Sequence, residues 1–144
     1  MTTMVTDDND SVGLAKTWAT IAGAVLILVG ILGFIPNPLV GSADGALLPT
    51  DTLHNIVHLG TGLLALYIAF GMSGMALVNG VIGFGVLYAV IFVAVLLSPT
   101  LFGLFSVPAN ILLHIIHAAL ALVSLAVGYM ARGALGGSDT VRAR

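Results

Sequence analysis

Four stretches of the chain are apolar almost without interruption, and the polar positions between them fall in short clusters. The first runs from about residue 14 to 35, with Trp18 at its entrance, where an amphipathic ring favours a membrane interface. It stops at Pro36 and Pro38, and the segment 36–50, PNPLVGSADGALLPT, collects the Pro, Gly, Asn and Asp that turns require. A second stretch opens at Thr50 or Asp51, residue types suited to capping a helix, and continues to about residue 70. GMSG at 71–74 reads as a tight turn into a third stretch, about 75–97, which closes at Ser98, Pro99 and Thr100. The fourth covers about 109–130. At about 1.5 Å of rise per residue, roughly 20 helical residues cross about 30 Å of hydrocarbon. The pattern predicts an all-α polytopic integral membrane protein, with four transmembrane helices arranged as two repeated helical hairpins. A single transmembrane domain spans 14–131, between an acidic mobile tail at 1–13 and a short tail at 132–144.

Composition sharpens the picture. Charged residues make up 7% of the chain, against about 25% in soluble domains. Between Thr52 and Ala131 there is no Asp, Glu, Lys or Arg. Too little charge is available to clothe a water-facing surface, so the expected partner is the lipid bilayer. Lys16 lies at the start of the first stretch, while Arg132, Arg142 and Arg144 follow the last. Basic residues near span ends are retained in the cytoplasm, which predicts a multi-pass protein of the cell membrane with both termini cytoplasmic. The acidic start and long first run argue against a cleaved signal peptide.

The same composition removes several functions. A net charge of −2 without a basic patch leaves nothing to neutralise phosphates, so no nucleic-acid partner is expected. With no cysteine there are no disulfides, thiolate metal sites or cysteine nucleophiles. GVIGFG at 80–85 lies inside an apolar stretch with no lysine, so it is not a phosphate loop. No Ser, Asp and His stand in a nucleophile-elbow setting, and no charged group lies at mid-depth as a transporter site would need. No enzymatic activity is expected.

The second and fourth stretches resemble each other. HLGTGLLAL (58–66) aligns with HIIHAALAL (114–122), with His58 over His114, and sliding the fourth stretch by three residues brings His117 into that place. The first and third stretches share a run of small and aliphatic residues, at 24–34 and 85–95. Two copies of a hairpin joined by a turn would be related by an axis along the membrane normal. The glycine-punctuated GILGF (30–34), LHNIVHLGTG (53–62) with His54, Asn55 and His58, and NILLH (110–114) together resemble the small prokaryotic membrane family catalogued as domain of unknown function 4383. That resemblance covers roughly residues 14–130 and implies an architecture without an established activity.

All four histidines occupy the same ends of the second and fourth stretches. His54 and His58 are spaced i, i+4, and His114 and His117 are spaced i, i+3, so each pair shares one helix face. Two facing helices would bring up to four imidazoles to one level. Neutral imidazole is a ligand for Zn, Cu or haem iron, and bundle cores are where such sites are built. The chemical readings are a haem b held between the two helices, with Gly60, Gly62, Ala118 and Ala119 making room, or Zn or Cu among three or four imidazoles. Asn55, Asn110 and Asp51 are the expected supporting residues, with Asp44 a further oxygen ligand. The plainer readings are histidines hydrogen-bonded to carbonyls and to Asn55 and Asn110 as interhelical glue, or a role in handling protons. Gly30, Gly33, Gly60, Gly62, Gly80 and Gly83 are expected to let helices approach closely. The most economical function is a small structural or accessory membrane protein, associating with itself or a larger membrane complex.

Overall fold

The computed structural model describes the backbone of residues 3–42 and 45–142, and the side chains of 10–42 and 45–136. In chain order the elements are α1 (Thr3–Leu32), β1 (Val40–Gly41), β2 (Leu48–Pro49), α2 (Thr52–Gly71), α3 (Gly74–Leu97) and α4 (Ile111–Arg142). The protein is all-helical apart from a two-residue parallel pairing of β1 with β2 inside the first loop. Four segments are long and apolar enough to cross a membrane: Asp10–Leu32, Thr52–Gly71, Gly74–Leu97 and Ile111–Gly136. The helices overrun both terminal segments, because neither carries a proline to stop them: the acidic lead-in is helical from Thr3, and α4 runs on to Arg142.

Helix ends follow from local chemistry. Pro36 and Asn37 end α1 at Leu32, three residues before the apolar run does. The Asn37 amide donates to the carbonyls of Leu32, Ile35 and Val40, and its oxygen accepts from the N–H groups of Leu39 and Val40. One side chain thus ties the last carbonyl of α1 to the backbone of the loop that follows it. Asp51 caps α2 by accepting the His54 N–H at 2.8 Å. Only Met72 and Ser73 separate α2 from α3, and Gly74 leaves that turn at φ +51°, a conformation that costs glycine little. Asn110 opens α4, its oxygen accepting the Leu113 N–H at 3.0 Å and its amide tethering the Leu47 carbonyl across the loops.

Packing is built on small residues. Gly23 abuts Gly62 and Leu66, Gly30 abuts Leu59, and Gly33 abuts Asn55, so α1 and α2 run antiparallel. Gly85 abuts Ser124 and Leu125 while Gly128 abuts Ile82, so α3 and α4 do the same. α1 also packs on α4, while α2 and α3 touch little beyond their turn, where Gly80 meets Ile68 and Met72. The centre holds a row of alanines, Ala15, Ala19, Ala22, Ala65, Ala69 and Ala121, with Leu77, Val78, Val81 and Tyr88 filling it. Small side chains of this kind let helices gain dispersion contact where lipid removes the usual hydrophobic drive. Large apolar residues such as Leu63, Phe70, Val90 and Leu122 point outward. In water such a surface would associate, whereas lipid covers it.

Two of the expected packing glycines meet no neighbour among the described residues. Gly60 and Gly83 have no atom within 4 Å of the place a β-carbon would take. Helical phase explains this, since Gly60 lies two residues before Gly62 and Gly83 two before Gly85, which turns each away from its partner helix.

Candidate functional site

The buried polar side chains are concentrated at one end. Thr50, Asp51, His54, Asn55, His58 and His117 are all buried where the two long loops meet the bundle, and among the described residues Ser124 alone is buried towards the other end. There Ser124 accepts a 2.8 Å hydrogen bond from the Trp18 indole, joining α4 to α1.

His54 and His58, one turn apart on α2, bring their ring centroids to 4.4 Å. His117 reaches in from α4 to 6.0 Å from His54. The three are 3%, 4% and 2% exposed, and one ligand nitrogen from each lies within 4.8 Å of the others. Phe105, from the loop between α3 and α4, stacks on His54 with centroids 4.6 Å apart and planes 6° from parallel. Tyr88 of α3 lies against the other flank, 6.1 Å from His117, and its hydroxyl is 2.9 Å from Thr61 Oγ1.

None of these imidazoles is held by a hydrogen bond at Nδ1. The Nδ1 atoms of His54, His58 and His117 are buried and without a hydrogen-bond partner among the described residues, as is that of His114. A buried polar atom left unpaired costs on the order of 1–3 kcal/mol, so three together call for something to satisfy them. Nitrogens around a tetrahedral ion at about 2.05 Å lie about 3.3 Å apart. From an upper limit of 4.8 Å, each ring closes by at most about 0.9 Å, which small rotamer changes supply.

Expectation and geometry differ at several positions. His114 is only half-buried and lies outside the group; three residues along the helix, His117 takes that place. Asn110 is committed to the start of α4 and to Leu47, away from the imidazoles. Asn55 is buried against Gly33 of α1, and its oxygen has no hydrogen-bond partner among the described residues. Among the described residues no hydrogen bond joins either asparagine to a histidine side chain. Asp51 supports the site through the backbone: one oxygen accepts the His54 N–H, and the other accepts from the Ser106 N–H, from the Ser106 hydroxyl at 2.9 Å and from Val107 N–H. Burial by itself pushes the Asp51 carboxyl up, but these donors outweigh it and hold the group below its ordinary value. Asp44 lies outside the described residues.

The carboxylate of Asp51 also fixes the loop that carries Phe105. Leu101 and Phe102 adopt left-handed backbone at φ 48° and 59°, Ser98 caps the turn by accepting the Phe102 N–H, and Asp51 ties down Ser106 and Val107. A cavity of about 360 Å³, lined by Ser42, Asp51, Thr52, Leu53, Leu104 and Ser106, opens beside this tie. Phe105, Tyr88 and Ser106 were not legible as site residues. Tyr88, the one hydroxyl in the third apolar stretch, offered the one available signal.

No curated protein and no solved structure matches the chain. The model of the family described as Domain of unknown function (DUF4383) matches residues 16–130, which contain all four apolar segments almost entirely and the whole histidine group, and the chain belongs to that family.

Proposed function

We propose that this is a small accessory protein of the cell membrane, without catalytic turnover, that binds one transition-metal ion through His54, His58 and His117. The observation that carries this reading is the convergence of three buried imidazoles from two helices, each with an unpaired ring nitrogen. Imidazole suits Zn and Cu among the common metals. The rings contact one another and Phe105 directly, which favours a single ion over a flat macrocycle such as haem b between them. The site lies at the end bearing the long loops, which faces outward if Lys16 and the terminal arginines hold both termini in the cytoplasm. An internal repeat accounts for the placement of His117: Leu66 meets Gly23 as Leu125 meets Gly85, which is the register that puts His117 opposite His58. Gly60 and Gly83, open on the lipid-facing surface, are available for association with a second copy or a larger membrane complex.

The test is metal content after loading with Zn²⁺ or Cu⁺ and desalting in detergent. One ion per chain is expected in the wild type and in His114→Ala, and none in His58→Ala or His117→Ala. A folded wild-type protein that stays metal-free would overturn the reading in favour of a purely structural role, and a Soret band would overturn it in favour of haem.

A further inference from the structure

We propose that the loop end of the bundle is seated in lipid, with the two long loops packed against the headgroup and upper acyl region of the adjoining leaflet. This holds whether or not the histidines bind an ion. The loop side chains give the first observation. Phe34, Ile35, Leu39, Leu47 and Leu104 are 49–57% exposed, and Phe102 is 75% exposed. Connecting segments in water are ordinarily polar, and a gathering of large exposed apolar side chains marks a surface that something else covers. Leu101 and Phe102 are also held in left-handed backbone, at φ 48° and 59°, a costly conformation for bulky residues. That turn leaves Phe102 the most exposed aromatic side chain among the described residues. An apolar medium outside the loop gives the strained turn a use.

The loop backbone gives the second. From 101 to 107 every N–H is bonded within the protein. Leu101 donates to the Ser98 carbonyl, Phe102 to the Ser98 hydroxyl, Gly103 and Phe105 to the Thr100 carbonyl, Leu104 to the Leu101 carbonyl, and Ser106 and Val107 to Asp51. Pro99 and Pro108, on either side, have no N–H to satisfy. In the loop after α1, Leu39 and Val40 donate to Asn37, and Leu47, Leu48 and Thr50 donate to the carbonyls of Pro38, Leu39 and Gly41. Water would pair these groups without any such arrangement, whereas lipid leaves an unpaired donor with its full desolvation cost.

Two further points favour lipid over a protein partner. Phe102 closes the loop end of an apolar groove of about 470 Å³ that runs along α3 past Leu97, Ala94 and Val90 to Val86. The loop surface therefore continues the outward face of α3, which lipid covers. From Val86 to Leu97 is about 16 Å of helix, close to one leaflet of a hydrocarbon core about 30 Å thick. Protein interfaces, by contrast, carry a polar and charged rim, and no Lys or Arg occurs from 17 to 131. Asp51 turns its carboxylate inward onto the N–H groups of His54, Ser106 and Val107. Asp44, the other acid of this end, lies outside the described residues, and the hydrated headgroup layer accommodates an acid. Seated in this way, the imidazole group lies beneath lipid headgroups rather than at a surface facing bulk water.

The experiment moves the chain's single tryptophan. In a Trp18→Phe background, Phe102→Trp, Leu104→Trp and Leu39→Trp are made separately, checked for helix content and placed in phosphatidylcholine nanodiscs. Val90→Trp serves as the reference for a side chain in hydrocarbon, and N-acetyl-tryptophanamide as the reference for water. Each loop tryptophan is expected to emit at shorter wavelength than the amide and to lose fluorescence to lipid brominated on the upper acyl carbons. Acrylamide is expected to quench it at about one fifth or less of the rate for the amide. Acrylamide quenching within about twofold of the amide, with no loss to brominated lipid, puts the loops in water and overturns the proposal. Protection from both quenchers means that protein, from the same chain or a second copy, covers the loops, and it overturns the proposal equally. The three positions are independent, so a variant that fails to fold leaves the other two to decide.

Discussion

Replacing Gly62 by alanine separates a packing role from mere helix composition. A β-carbon at Gly62 would lie 2.7 Å from Ile27 Cγ1 and 2.9 Å from both the Gly23 oxygen and the Ile27 nitrogen of α1. Two of those neighbours are backbone, so no rotamer change relieves the clash, and α1 must retreat by roughly 0.5–1 Å to reach ordinary contact. Overpacking of this kind costs about 1–3 kcal/mol, and alanine's better helix propensity returns up to about 1 kcal/mol. With the full propensity return the expected net loss is about 0–2 kcal/mol, and relative to an alanine that gains propensity without a clash it is about 1–3 kcal/mol. Gly60, two residues earlier on the same helix, has nothing within 4 Å of a β-carbon. There the propensity gain stands alone, and Gly60→Ala should be neutral or stabilising by up to about 1 kcal/mol. The assay is reversible unfolding in mixed micelles, followed by far-ultraviolet circular dichroism so that the signal does not depend on one residue. If Gly62→Ala unfolds at the same denaturant fraction as Gly60→Ala or later, the close approach of α1 and α2 at this point is wrong.

Trp18→Phe removes the bond from the indole to Ser124 while keeping an aromatic ring in place. A double-mutant cycle with Ser124→Ala should give a coupling of about 0.6 kcal/mol, and up to about 1.7 kcal/mol since Ser124 is fully buried; zero coupling would remove this link between α1 and α4. Asp51 should make the loop end sensitive to acid. Its carboxyl is held below the ordinary value of 3.8, so its stabilising contribution is complete above that pH and is lost as pH falls through the lower folded value. In a thermal-melt series below pH 4, the wild type should lose stability that Asp51→Asn, already lacking the charge, does not lose. Parallel profiles for the two proteins would contradict that.

How much of the site could be read from the chain depends on the kind of signal each residue gave. His54 and His58 were legible because i, i+4 spacing fixes a shared face on any helix. For the fourth helix, His114 and His117 were both open, since choosing between them depends on the rotation and axial offset of α4 against α2, which no local pattern states. Gly85 against Leu125 and Gly128 against Ile82 fix α4 against α3, the Trp18–Ser124 bond ties α4 to α1, and α1 in turn carries α2 on its glycines, which together bury His117 beside the α2 histidines. Asn110 and Asn55 looked like partners of the histidines by proximity in sequence. In the folded chain the first is spent on capping and the second on the α1 interface. Phe105 gave no signal at all, because its stacking on His54 depends on a loop bent through two left-handed residues and pinned by an acid some 50 positions away.

The sequence by itself determined the class of the protein and the number of crossings. An apolar run must satisfy its own backbone within the membrane, and hydropathy with Pro and Gly punctuation is enough to place four such helices. It also determined which end carries every imidazole and that no acid from 52 to 131 accompanies them. Tertiary structure alone decided which three histidines meet, which glycines lie at a contact rather than in lipid, and that Asp51 serves the loop as well as its helix. The physical reason is one of range. Helix formation depends on neighbours within a few residues, whereas the meeting of side chains from different helices depends on where backbones can approach, and in this bundle that is set by a small number of glycines and alanines far apart in the chain.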